Sequence, residues 1–115
     1  MKVLFIDDRI SEIERLVLLS GVNHHCEVRT HIFTEMSECT RVAETFDPDI
    51  IIIGHGLSAY PITGSQVVTH LRARGSRAKM IANSGSGKYG FDSDRVSIDG
   101  SVDRNPDKIA KLCSN

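Results

Sequence analysis

Several side chains in this 115-residue chain are of kinds that do chemistry. Asp7 and Asp8 stand together directly after the apolar run Val3-Leu4-Phe5-Ile6. Adjacent carboxylates offer the hard oxygen donors that divalent cations prefer. His55 lies between Gly54 and Gly56, behind four consecutive isoleucines. An imidazole titrates near neutral pH and is able to carry phosphate covalently. The stretch Ser84-Gly85-Ser86-Gly87-Lys88 looks at first like a phosphate loop. That motif needs a glycine five residues before the Gly-Lys pair and a hydroxyl residue after it. Ala82 and Tyr89 occupy those places, so the match fails. His24, His25 and His31 lack zinc-ligand spacing and a thiolate pattern beside them. Gly54-His-Gly-Leu-Ser58 is not a nucleophile elbow, and no His/Asp set completes a triad. The acidic loop at Asp7-Asp8 would repel the phosphate of a flavin mononucleotide.

The elements that must hold these residues alternate between two periods. Residues 2–6, 27–33, 50–53, 78–82 and 101–103 read as strands, the isoleucine run most clearly, because β-branched residues suit a central parallel strand. Helical spacing marks 10–20, where Ser11 and Glu14 fit a capping box, and, more weakly, 35–46. A second capping box, Thr63 and Gln66, opens a helix reaching about Ala73. Asn105 and Pro106 start the last helix as N-cap and first residue. Residues 83–100 show no period, so a fourth helix is expected to be absent or short, and the segment loose unless a partner holds it. Alternating strands and helices predict a doubly wound parallel sheet in the order 2-1-3-4-5. Ligand crevices in such sheets open past the carboxyl ends of the strands. That edge collects Asp7, Asp8, Gly54, His55, Gly56 and Ser84.

Bulk properties fit one domain spanning 1–115. The formal net charge of −1, without a basic stripe, argues against a direct nucleic-acid partner. No apolar run approaches the roughly 18 residues of a membrane helix. Three cysteines, an odd number without metal-type spacing, suit reduced thiols in the cytoplasm. Neither the oligomeric state nor the identity of a protein partner is encoded in these features.

In order and spacing the motifs resemble the receiver domain of two-component response regulators, a flavodoxin-like fold. The carriers are VLFIDD (3–8), FDPDIIII (46–53), TGSQVVTHLRARG (63–75), KMIANS (79–84) and SVDRNPDKI (101–109). The resemblance implies that Asp7 and Asp8 correspond to the pair that holds Mg²⁺, and Ser84 to the hydroxyl that binds the phosphoryl oxygen. Arg104 stands where the family has a lysine, keeping the charge in another shape. Gly54 occupies the phosphoacceptor position and carries no nucleophile. With no third carboxylate, any Mg²⁺ is expected to bind weakly, in the roughly millimolar range. Arg104 is then expected to pair with Asp7 or Asp8. A second branch of receiver-like domains, linked to cyclic-phosphate processing, is similar in outline at IDDR (6–9), GHGL (54–57), TG (63–64) and NSGSG (83–87), but both of its motif aspartates are glycines here. The expected function is a degenerate receiver working through protein–protein interaction, with no catalytic residue. The alternative is a small phosphorylated or cyclic-phosphate ligand held by Asp7, Asp8, Ser84 and Arg104. His55 is a further ligand candidate and, with Asp49, an alternative site of phosphorylation.

Overall fold

The computed structural model describes residues 1–32, 35–56 and 62–114. Its five parallel strands are β1 (Lys2–Asp7), β2 (Glu27–Ile32), β3 (Ile50–Ile53), β4 (Lys79–Ala82) and β5 (Gly100–Ser101). They lie in the order β2-β1-β3-β4-β5, the doubly wound flavodoxin-like arrangement. Helices α1 (Ile10–Ser20), α2 (Met36–Phe46), α3 (Gly64–Ala73), α4 (Tyr89–Ser93) and α5 (Pro106–Leu112) cover both faces.

Period-two alternation divides the core in two. Leu4, Ile6, Ile51, Ile53, Met80 and Ala82 face α2 and α3, meeting Val42, Phe46, Val67 and Leu71. Val3, Phe5, Ile50, Ile52 and Ile81 face α1 and α5, meeting Ile13, Leu16 and Ile109. Successive strand residues point to opposite faces, so all four isoleucines of β3 are buried, two on each side. Each such side chain contributes on the order of 2 kcal/mol of apolar burial.

Two local expectations need correction. Ser11 and Glu14 do not cap α1. The helix starts at Ile10 with Arg9 in the N-cap position and no side-chain cap. Only Asp8 and Arg9 separate β1 from α1, so Ser11 already lies inside the first turn. In the segment 83–100 the fourth helix is short, as expected, and side-chain contacts tie the segment to the fold. It contains the short α4, whose Phe91 is fully buried in the α2/α3 layer. Arg72 hydrogen-bonds the Ser97 carbonyl, and Asp99 accepts the Met80 N–H at 2.9 Å. One aromatic residue without periodic companions gave no helical signal; Phe91 packs into the α2/α3 layer together with Val96 and Ile98. The final strand pairs at Gly100 and Ser101, one residue shorter and one residue earlier than the expected 101–103.

The capping box at Thr63 and Gln66 is present in both directions, and Asn105 caps α5 with Pro106 at its first position. Gly21 ends α1 at φ 67°, a left-handed conformation that costs glycine little.

Candidate functional site

The sheet's hydrogen-bond ladder runs on past the strand ends and assembles the crevice. Gly54 N–H donates to Ile6 O at 3.1 Å, Asn83 N–H to Ile53 O at 2.9 Å, and Val102 N–H to Ala82 O at 2.9 Å. Asp7, Gly54, Asn83 and the Asp103-Arg104 turn therefore share one edge. A Cβ on Gly54 would lie 3.1 Å from Asp7 Oδ2, so the bare α-carbon faces the Asp7 carboxylate directly.

Asp7 is almost fully buried. Its Oδ1 accepts the Asp8 N–H at 2.8 Å. Its Oδ2 stands 3.5 Å from Arg104 Nη1, and the same guanidinium atom lies 3.7 Å from Glu12 Oε1. Asp7 Oδ2 and Arg104 Nη1 are both buried without a hydrogen-bond partner among the described residues. The pair is thus an electrostatic contact slightly too long for a hydrogen bond. The Asp7 carboxyl is pushed up to about 6, first by burial and then by the neighbouring Asp8 side chain, which Arg104 only partly offsets.

That shift has a definite sign. The folded protein holds the Asp7 proton more tightly than the unfolded chain, whose ordinary value is 3.8. The stabilisation is complete below about pH 4 and is lost as pH rises towards 6, a difference on the order of 3 kcal/mol. Glu12, Asp94 and Asp103 have lowered values and act in the opposite sense. Comparison with Asp7→Asn isolates the effect. Urea midpoints measured from pH 4 to 7 are expected to converge at the acid end, with the variant progressively more stable towards neutrality. Parallel curves would contradict the assignment.

Arg104 is held in place by its backbone. Asp103 and Arg104 have φ of 51° and 55°. The Asn105 N–H closes the turn on Val102 O at 2.8 Å. Two consecutive left-handed residues that are not glycine cost about 1–2 kcal/mol each, and such strain gathers at functional sites. Asn83, 1% exposed, accepts the Arg104 N–H through Oδ1 at 2.9 Å. Asp103 is tied to Ser101 and Lys108. Asn83→Ala leaves the Arg104 N–H unpaired and is expected to cost about 1–3 kcal/mol, read as a lower denaturation midpoint. A midpoint within a few tenths of a kcal/mol of the parent would remove Asn83 from this role.

The other expected residues are engaged differently. The Ser84 hydroxyl turns into its own loop, donating to Gly87 O at 3.1 Å. His55 Nε2 lies 2.7 Å from Asp94 Oδ2, and its ring meets Phe91 edge-on at a centroid distance of 5.0 Å. The His55 ring rests on Gly90, where a Cβ would fall 2.6 Å from it. His55 therefore docks α4 onto the end of β3. It also lowers the Asp94 carboxyl, helped by the nearby Ser65 hydroxyl, which itself makes no hydrogen bond of good geometry. Asp49 is at the opposite end of β3, where its carboxylate accepts the Lys2 N–H. Leu57 and Pro61 lie outside the described residues.

The structure thus brings Asp7, Asp8, Gly54 and Arg104 together, and commits Ser84 and His55 to other contacts. Glu12 and Asn83 were not anticipated. Glu12 was legible as an acid one turn after the Asp7-Asp8 pair, and Asn83 as the first residue past the fourth strand. A guanidinium beside a buried carboxyl with raised proton affinity, and no third carboxylate at position 54, make a poor cage for Mg²⁺. Among the described residues no group of three or more His, Cys, Asp or Glu side chains is placed to hold a metal. No described helix is long and apolar enough to cross a membrane.

This edge and sheet define a domain with the receiver fold. The chemotaxis response regulator CheY4 of Vibrio cholerae is similar with a TM-score of 0.74 and 22% identity, over 98% of this chain and 95% of that one. A LuxR-family two-component response regulator from Aurantimonas sp. SI85-9A1 is similar with a TM-score of 0.72 and 14% identity, over 98% and 81%. At these identities the likeness is one of fold. No protein-family model matches the sequence, and no curated protein matches it significantly.

Proposed function

We propose that the chain is a receiver-like signalling module of the cytoplasm that acts by binding a protein partner, without an aspartyl phosphate. One observation carries this reading. At the end of β3 the backbone points an absent side chain at Asp7, and Arg104 answers the Asp7 charge in place of a phosphoryl group. A phosphorylation switch needs a nucleophile there, and glycine offers none. The contact face is expected around α4, where Tyr89 is 73% exposed while Phe91 anchors the segment beneath it. Neither nucleic acid nor a membrane surface is expected as a partner, and Mg²⁺ is expected to bind in the millimolar range or more weakly.

Incubation with Mg²⁺ and acetyl phosphate, followed by mass spectrometry, tests the reading. The expected product is the unmodified protein. A stable phosphoryl adduct, whether on Asp49, His55 or another residue, would overturn it.

A second reading, a small phosphorylated or cyclic-phosphate ligand in the Asp7/Asp8/Ser84/Arg104 crevice, is favoured by Arg104 Nη1, which makes no hydrogen bond among the described residues. Titration with inorganic phosphate separates the two by NMR. Shifts confined to Asp7, Asp8, Ser84 and Arg104 support the ligand site, and an unchanged spectrum at millimolar phosphate supports the partner module.

A further inference from the structure

We propose that Cys26 and Cys113 form a reversible intramolecular disulfide, which makes the junction between β2 and the end of α5 a thiol-modification site. Cys26 directly precedes β2 and is partly exposed, whereas Cys113 is the buried C-cap residue of α5. They are 87 positions apart, yet the Cys26 thiol donates to the Cys113 carbonyl at 3.4 Å. Both residues line one recess, together with Met1, His25 and Ser114. The Cys113 thiol is pushed up to about 11, first by burial and then by the neighbouring Cys26. The third cysteine makes a contrast. Cys39 is fully buried under α2 on the other face of the sheet, with its thiol pushed up to about 12.

The difference in exposure sets the order of events. The Cys26 thiolate attacks a small-molecule disulfide such as oxidised glutathione, forming a mixed disulfide and releasing one glutathione thiolate. Cys113 then loses its proton to solvent at the mildly alkaline pH of the test below. Its thiolate attacks the Cys26 sulfur and expels the second glutathione. Two protein thiols are oxidised and one small disulfide is reduced to two thiols. The product ties the start of β2 to the far end of α5, a helix that begins two residues after Arg104. Closing so long a loop restricts the unfolded chain strongly.

The test treats the folded protein with oxidised glutathione at mildly alkaline pH, followed by non-reducing peptide mapping and a thiol count under denaturing conditions. The expected result is a monomer with a Cys26–Cys113 linked peptide and one remaining thiol, on Cys39. Its thermal midpoint should rise by roughly 10 °C and return on reduction. Cys113→Ser should stop the reaction at a glutathione adduct on Cys26, and Cys26→Ser should leave Cys113 unmodified. A stable glutathione adduct on Cys26 of the parent protein, a disulfide-linked dimer, or three unreacted thiols would each overturn the proposal.

Discussion

Replacing Gly64 by alanine is expected to lower stability by roughly 3 kcal/mol or more, a large share of what a domain of this size possesses. The added Cβ would overlap the Gly54 carbonyl oxygen and fall 3.1 Å from the His55 α-carbon. Both are backbone atoms, so no side-chain rotation relieves the overlap. The Gly64 N–H also donates to His55 O at 2.7 Å, fixing the start of α3 against the end of β3. Relief would require prising α3 off the sheet, where Val67, Val68 and Leu71 are buried. Urea denaturation checks this. A midpoint equal to that of the parent would mean that the close approach is not a feature of the folded protein.

Gly54→Asp has the second large effect, and it is conditional. The new Cβ would stand 3.1 Å from Asp7 Oδ2, a contact tight enough that one neighbour must give. A second carboxylate beside a buried one raises the proton affinity of both, costing on the order of 2 kcal/mol near neutral pH. It also supplies the third set of carboxylate oxygens that the edge lacks, and hard cations favour such sets. The variant is therefore expected to be less stable than the parent without metal and to recover most of the loss in millimolar Mg²⁺. The parent should respond little. Gly54→Asn, similar in size but uncharged, should show no recovery. Equal Mg²⁺ responses for the aspartate and asparagine variants would rule out a carboxylate cluster.

The sheet order and most elements were legible in the sequence because alternation and capping act locally. The four isoleucines at 50–53, the Thr63–Gln66 box and the Asn105-Pro106 start each imply their own structure through neighbours a few residues away. The place of Gly54 at the end of β3 was legible for the same reason, since it follows directly from counting along a clear strand. What the sequence did not disclose depends on contacts across the fold. Phe91 offers no periodic pattern, so its anchoring of α4 emerges only when the α2/α3 layer closes over it. Ser11 and Glu14 had the right spacing for a cap, but the two-residue connection after β1 leaves no room for one there. Asn83 and Glu12 are ordinary polar residues in a linear reading. Their significance comes from Arg104, which reaches them across the sheet edge.

The turn at Asp103-Arg104 has an evolutionary corollary. Random drift favours glycine or asparagine wherever the backbone turns left-handed, because these residues relieve the conformational strain. Position 104 instead carries a long cationic side chain whose charge faces Asp7 and Glu12. Descendants of this gene in which Asp7 has become neutral should be free to let position 104 relax to glycine, so the two sites are expected to covary.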